Sequence, residues 1–315
     1  MAIPTVTSAR TTFFAATAEN RRPDLVDNFY GSAPFWIQLK SKNKITTKGG
    51  RYISAAHIYA NFPASSYGRG DEFDTTVREF ATDMQFDWGF SYSPCNLDVI
   101  DIDLNDSPEQ TFDLVEAAME NAELSLINDL ATQLVADGTG NAGKDMKGLA
   151  IAVSQSGTYG GITRGTDTVG TSIKCAAEDT TGGATSLALI NTNFGLATVG
   201  NKSPYLLLTT QVIYNRIWER SQPSERSTPS DKREIGYNFV RINGAAVAVE
   251  SHLSTGLLYG LNSEFWDLYA HAKWDFRFRG YAEPVQQQNA IGQLIFWGQS
   301  ICRGPRFQFA MSGLT

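Results

Sequence analysis

The element that most restricts the fold is a long helix signalled between Ser107 and Gly138. Ser107-Pro108-Glu109-Gln110 has the form of a capping box, with serine at the N-cap, proline in the first helical position and glutamine two residues later. Phe112, Val115, Met119, Ala122, Leu126, Leu130 and Leu134 follow at steps of three and four, which lines one face with apolar side chains. Gly138 supplies a stop. The spacing predicts a helix over 108–137, about 45 Å long at about 1.5 Å per residue. Few globular domains hold a helix of that length, and this one needs a packing partner along its whole apolar stripe.

That helix also decides how to read Gly138-Thr-Gly-Asn-Ala-Gly143-Lys144, which spells the G-x-x-x-x-G-K of a phosphate-binding loop. Such a loop follows a buried strand and opens a helix, so that main-chain amides at the helix start face the phosphates. Here Gly138 closes a helix, and Asp145 stands where a magnesium-binding Ser or Thr belongs. The segment is read as a helix exit, and no nucleotide or other cofactor is expected.

Upstream, residues 44–93 read as an extended two-stranded excursion. "RYISAAHIYANF" is strand-like, "PASSYGRGDEFD" has turn composition, and the return limb alternates Met84, Phe86, Trp88, Phe90 and Tyr92 with polar or small residues. The reading is one strand with an apolar and a wet face, followed after Pro94 by a second strand, "DVIDIDL". Residues 1–42 show no sustained period, yet Phe13, Phe14, Phe29, Tyr30, Phe35 and Trp36 are too many aromatics for a free tail. They read as an extended arm that docks on something.

Beyond the helix, residues 149–200 read as loops and short strands, with "MKGLAIAV" as turn and strand. "YLLLT" is a buried strand. "TQVIYNRIWERSQ" is a helix with Val212, Ile213, Ile217 and Trp218 inward, and "PSERSTPSDKR" is a mobile loop. "YNFVRINGAAVAVESHL" is a hairpin turning at Asn243-Gly244. "GLLYGLN" is a strand and "SEFWDLYA" a short helix. "KWDFRFRGY" alternates Trp274, Phe276 and Phe278 with charged residues, and the carboxyl end holds two strands around Gly304-Pro305.

Charge is uneven. The chain has 26 Lys/Arg against 33 Asp/Glu, a net of −7, which argues against a dedicated nucleic-acid reader. Residues 1–52 hold eight basic and three acidic residues, whereas 71–137 hold Arg78 against seventeen acids. On the long helix Asp113, Glu116, Glu120 and Glu123 form one stripe with no basic residue beside it. The expectation is that Lys40, Lys42, Lys44, Lys48 and Arg51, some from a neighbouring copy, lie over this stripe. A solvated stripe and an acidic inner wall that repels DNA are the alternatives.

Candidate chemistry is sparse. Asp101, Asp103 and Asn105 start like a calcium loop, but Asp106 replaces the required glycine and Phe112 the closing glutamate. His57, His252 and His271 have no metal-ligand spacing, and no G-x-S-x-G elbow occurs. Arg69-Gly70-Asp71 is a three-residue match in a predicted turn and carries no weight as an attachment motif; Arg69, Asp71 and Glu72 are instead candidate subunit contacts. The aromatics at 84–92 could stack bases or sugars, but half-buried sheet packing produces the same alternation. Cys95, Cys175 and Cys302 are odd in number and far apart, which suggests a reducing compartment. No secretory signal or membrane span is read, and neither a catalytic site nor a metal site is expected.

In element order the chain resembles the major capsid proteins of tailed bacteriophages. The resemblance is carried by "FDWGFSY…DVIDIDLNDSPEQTFDLVEAAMENAELSLINDLATQLVADGTGN", "KGLAIAV…GTYGGITR", "PYLLLTTQVIYNRIWE", "FVRINGAAVAVESHL" with "LLYGLN", and "QLIFWGQSICRGPRFQF". It implies a mixed α/β (α+β) capsid fold. The N-terminal arm would be 1–42 and the extended loop over an adjacent subunit 43–92. The peripheral domain would take 93–149 and 266–300, with the spine helix at 108–137, and the axial domain 150–265 and 301–315. It implies hexamers and pentamers in an icosahedral shell around double-stranded DNA, in a virion assembled in the bacterial cytoplasm. Scaffolding, portal and decoration proteins are the implied partners; with no large helical segment read ahead of the arm, a separate scaffolding protein or none is expected. Two other readings stay open: an encapsulin-like nanocompartment shell, and a β-rich glycan-binding or glycan-hydrolysing protein using the aromatics and acids at 83–103.

Overall fold

The structure, a computed structural model, describes residues 33–42, 44–47, 49–101, 114–225, 240–282, 284 and 289–315. These fall into two compact units: a smaller one from within 91–129 and 276–296, and a larger one from 31–90, 130–275 and 297–315.

The larger unit begins with helix α1, Pro34–Lys42. Proline opens it with a preset φ, and Phe35, Trp36 and Leu39 are buried on one side. The carboxyl end of the expected extended arm is therefore helical. The helix is too short for a periodic signal, and it forms because three large apolar side chains share a face. Gln38 fastens it by donating to the Tyr205 hydroxyl (2.8 Å) and to Ser263 Oγ (3.0 Å). The arm aromatics Phe13, Phe14, Phe29 and Tyr30 lie outside the described residues.

Strand β1, Lys44–Thr47, follows, and then β2, Ile53–Ile58, and β3, Ala81–Phe86, pair antiparallel from Ile53↔Phe86 to Ile58↔Ala81. Ile53, Ala55, Met84 and Phe86 are buried on one face of this ribbon. Strand β4, Gly89–Asp98, comes next, and here the structure departs from the expected continuous strand. Asp87 and Trp88 interrupt the ladder, and beyond them Gly89, Ser91, Ser93 and Cys95 point inward while Phe90 and Tyr92 are exposed. The interruption reverses the parity of the pleat, as a one-residue slip must. Gly89 shows why: a Cβ there would sit 2.7 Å from Met146 Cγ and 2.9 Å from the Gly298 carbonyl oxygen. Nor does a new strand start after Pro94; β4 runs through it, and residues 99–101 are helical.

Helix α2, Leu114–Val135, is the described part of the long helix, and the capping box at 107–110 lies outside the described residues. Ala122, Leu126, Leu130 and Leu134 are buried as their spacing predicts, whereas Met119 is exposed. The helix ends at Val135, short of the expected Asp137. Gly138 (φ +77°) then turns the chain where a Cβ would meet the Met146 carbonyl at 2.9 Å. The G-x-x-x-x-G-K segment is a helix exit: Asn141, Ala142 and Gly143 are left-handed, and Lys147 Nζ donates to the Gly138 carbonyl at 3.1 Å. The expected strand at 146–153 is a single helical turn, Leu149–Ala152.

A tight hairpin of β5, Thr158–Tyr159, and β6, Ile162–Thr163, precedes β7, Ala177–Asp179. Helix α3, Leu187–Ala197, falls in the stretch read as loops and strands. Its Ile190, Phe194 and Ala197 are buried at a helical spacing that the surrounding Gly, Thr and Ser masked. Strand β8, Leu206–Thr209, leads into helix α4, Gln211–Glu225. Ile213 and Ile217 are buried as expected, but Val212 (50%) and Trp218 (46%) are exposed. The loop expected from Pro223 begins inside α4, and 226–239 lie outside the described residues. Strands β9, Arg241–Ile242, and β10, Ala245–Val249, turn at Asn243 (φ +50°) and Gly244 (φ +84°), the left-handed pair the Asn-Gly signal predicts. With β11, Leu258–Leu261, and β15, Phe309–Met311, they complete a six-stranded sheet in the order β7-β15-β11-β8-β10-β9. Its core joins Leu207, Val247, Leu258, Phe309 and Met311 to Ile190, Phe194, Ile213 and Ile217 from the two helices.

The expected helix "SEFWDLYA" is one 3-10 turn, Ser263–Phe265, followed by strand β12, Trp266–His271. Parallel pairing with β1 and antiparallel pairing with β14, Asn289–Cys302, outweigh local helix preference there. In the smaller unit, strand β13 covers only Arg277–Phe278, because Phe276 takes φ +49° and breaks the expected alternation. It pairs with β14 at Arg277↔Ile295 and Phe278↔Leu294. Gly292 admits the Phe278 ring and the Cys95 carbonyl, each 2.9 Å from where a Cβ would stand.

Candidate subunit interface

The β2–β3 ribbon carries a loop, residues 59–80, that the body does not cover. From 61 to 80 every residue is exposed, among them Phe62, Tyr67, Phe73, Val77 (97%) and Phe80. Its rings pair with one another, Phe62 with Phe80 (5.1 Å) and Tyr67 with Phe73 (5.0 Å). The far end is shaped by local bonds. Gly68 N–H donates to the Asp71 carboxylate, and Gly70 takes φ +96°. Asp74 accepts from Thr76 N–H and from Arg78, both at 2.9 Å, and chiefly the Thr76 bonds hold its carboxyl below the usual carboxylate range. Arg69 and Glu72 are exposed beside this turn. A run of exposed large apolar side chains on a preshaped loop has the character of a binding surface.

The ribbon is seated firmly at its other end. Gln85 N–H donates to the Gly160 carbonyl at 3.0 Å, and Phe86 meets the Tyr159 ring edge-on at 5.0 Å. Gly160 (φ +59°) passes so close beneath that a Cβ would reach Met84 at 2.7 Å. Tyr159 is held in turn by Arg164, a residue that pattern reading passed over inside "GTYGGITR". Arg164 is buried, and its guanidinium donates to three main-chain carbonyls: Ile173 (3.0 Å), Ser156 (2.9 Å) and Ala152 (2.9 Å). It also lies 5.3 Å from the Tyr159 ring centroid. No spacing rule marks such a cation. The only sequence hint is a lone arginine in a Gly-rich stretch, where open main chain offers carbonyls.

The charged candidates divide between the units. In the larger one Lys40 and Lys42 are exposed in the last turn of α1, and Arg51 is exposed ahead of β2. Lys44, half-buried, forms an ion pair with Asp275 of its own chain. In the smaller one Glu116, Glu120 and Glu123 are exposed on α2. Lys48 and Asp113 lie outside the described residues, as do Asp103, Asn105 and Asp106 of the calcium-like string.

The remaining candidates have structural settings. His252 Nδ1 pairs with Glu250 at 2.7 Å, and His271 packs edge-on against Trp88 and Trp297. Phe90 meets the Trp297 ring at 5.0 Å, and Trp297 stacks on Trp274 at 5.1 Å. All three cysteines are buried and free; burial pushes the Cys175 thiol up to about 12. Among the described residues no group of His, Cys, Asp and Glu is arranged to hold a metal ion, and no helix is long and apolar enough to cross a membrane.

No family model matches the chain, and no curated protein matches it by sequence. Solved structures do match. The capsid asymmetric unit of cyanophage A-1(L) aligns with a TM-score of 0.74 and 14% identity, over 94% of this chain and 97% of that one. The capsid of the native GTA particle aligns at 0.66 and 8% identity over the whole of both chains. The SrpI encapsulin of Synechococcus elongatus PCC 7942 aligns at 0.62 and 10% identity, over 100% of this chain and 96% of that one. The chain has the mixed α/β fold shared by the subunits of phage capsids, the GTA capsid and encapsulin.

Proposed function

We propose that this chain is the major capsid protein of a tailed phage and self-assembles, as hexamers and pentamers, into an icosahedral shell around double-stranded DNA. The observation that carries the reading is the exposed loop at 61–80. Four of its five large apolar side chains cover one another only in part and Val77 stands almost wholly exposed, and a neighbouring copy in a closed lattice would supply the missing cover. Many such modest contacts, repeated around a shell, give a stable particle from weak unions. On this reading residues 1–42 are the arm and 43–92 the loop laid over an adjacent subunit. Residues 93–149 and 266–300 form the peripheral domain, and 150–265 with 301–315 the axial domain. The role is structural rather than enzymatic. Scaffolding, portal and decoration proteins are further partners, and the chain works in the virion after assembly in the host cytoplasm. The stripe of Asp113, Glu116, Glu120 and Glu123 meets Lys40, Lys42, Lys48 and Arg51 of a neighbour; Lys44 already has Asp275.

The likeness to SrpI keeps a second reading, a nanocompartment shell that encloses protein cargo instead of a genome. Purification of the full chain followed by light scattering and electron microscopy tests both. Closed megadalton shells are expected, and a monodisperse 34.5 kDa species at high concentration rejects both readings. Shells from the native source that hold cargo protein and no DNA select the second.

A further inference from the structure

The tip of the β9–β10 hairpin carries a chemistry that the shell reading does not use. Asn243–Gly244 is the single Asn-Gly pair in the sequence, and both residues are exposed. Asn243 takes φ +50° and Gly244 φ +84°. Gly244 has no side chain to shield its main-chain nitrogen, and beyond its chain neighbours no atom lies within 4 Å of where a Cβ would stand. The Asn243 side chain is engaged: Nδ2 donates to Asn191 Oδ1 at 3.0 Å. Asn191 is exposed on helix α3, 52 residues earlier in the chain.

An asparagine carboxamide before glycine is open to attack from its own main chain. The Gly244 nitrogen gives its proton to a water or hydroxide ion and bonds to Asn243 Cγ. The Cγ–Nδ2 bond breaks, Nδ2 takes a proton from solvent and leaves as ammonia, and a cyclic succinimide remains. Water then opens the ring at either carbonyl, which gives aspartate or isoaspartate. Water enters and ammonia departs, with no oxidation or reduction. Closure needs Cγ to swing over the Gly244 nitrogen, and the bond to Asn191 holds the carboxamide toward α3 instead. We propose that Asn243 is a site of spontaneous deamidation and that Asn191 guards it by holding the carboxamide away from ring closure. Isoaspartate carries the main chain through the former side-chain carbon, which adds a methylene to the two-residue turn. That turn sets the pairs Ala245↔Ile242 and Ala246↔Arg241, and Ala245 and Val247 behind it are core residues. Either product adds a negative charge at the tip and removes the donor that reached Asn191. The site does not depend on the shell reading, because all its groups belong to one protomer.

Asn141–Ala142 supplies a comparison within the same chain. Asn141 is also exposed and left-handed (φ +48°), and its Nδ2 donates to Asp145 Oδ1 at 2.7 Å, but the residue after it bears a Cβ. Prolonged incubation of the full chain in mildly alkaline buffer, followed by peptide mass mapping and enzymatic methylation of isoaspartate, tests the proposal. The peptide that holds Asn243 is expected to gain the mass of an exchange of NH2 for OH and to accept methyl groups, while the peptide that holds Asn141 stays largely unchanged. Asn191→Ala, at an exposed helical position that suits alanine, should speed the loss several-fold, the scale of one ordinary hydrogen bond. Asn191→Asp keeps an acceptor oxygen and should stay near the wild-type rate. An Asn191→Ala chain that deamidates at the wild-type rate overturns the guard, as does an Asn191→Asp chain as fast as Asn191→Ala. An Asn243 that keeps its amide in every variant, or an Asn141 that reacts as fast as Asn243, overturns the site.

Discussion

Replacing both Phe73 and Val77 by serine separates folding from assembly. In the protomer Phe73 is 68% and Val77 97% exposed, so neither supports the fold. The single internal loss is the Phe73–Tyr67 edge contact, and exposed substitutions of this kind stay within about 0.5 kcal/mol of neutral. In the proposed shell the same two side chains would be covered by a neighbour. Full burial of a valine or phenylalanine side chain is worth about 1.5–3 kcal/mol, so losing both removes about 3 kcal/mol from one intersubunit contact at the low end. Each 1.4 kcal/mol is about a factor of ten. The critical concentration for assembly should therefore rise about a hundredfold, with the melting temperature of the unassembled chain unchanged. Light scattering across a dilution series gives the first quantity and calorimetry the second. If the double variant assembles at the wild-type concentration, the loop is not buried between copies and the central reasoning fails.

Three further outcomes are expected. Glu120→Lys with Glu123→Lys places two cations on the α2 stripe and should weaken assembly, most clearly at low salt, where exposed charges are least screened; assembly equal to wild type at low salt refutes the pairing with Lys40, Lys42, Lys48 and Arg51. Arg164→Lys should lower stability by about 2–4 kcal/mol in denaturant melts, because an ammonium cannot span three carbonyls held by a planar fork, and buried carbonyls are left unpaired. Gly260→Ala should abolish or severely reduce soluble folded protein, because its Cβ would fall 1.9 Å from Phe309 Cε1 in the middle of the six-stranded sheet. A soluble Gly260→Ala chain with wild-type melting would contradict the packing described.

What could be read beforehand follows a physical division. Signals that repeat over several turns or pairs survived: the buried stripe of α2 from Ala122 to Leu134, the wholly buried β8, and the Asn243–Gly244 turn, whose conformation is dictated by two residues. Errors cluster where one tertiary contact overrules a local preference. "SEFWDLYA" has helix-like spacing, yet Trp266–His271 is a strand because β1 and β14 flank it. Helix α1 is invisible as a period and exists because Phe35, Trp36 and Leu39 have a common place to go. Arg164 left only a faint hint, a lone arginine among glycines, since its partners are main-chain oxygens that carry no residue identity.

The reversal at Asp87–Trp88 shows how the two kinds of information combine. Met84, Phe86, Trp88, Phe90 and Tyr92 keep one parity, so hydrophobicity alone argues for a single buried face. The small residues Gly89, Ser91, Ser93 and Cys95 keep the other parity, and they are the ones inside. At Gly89, which Met146 and Gly298 approach closely, there is no room for a side chain, and the neighbouring Phe90 ring lies outside. Tyr92, of the same parity, is exposed as well. Apolar side chains left outside forgo the free energy that burial would give. Together with the exposed 61–80 loop they leave apolar surface that the proposed contacts between copies would bury.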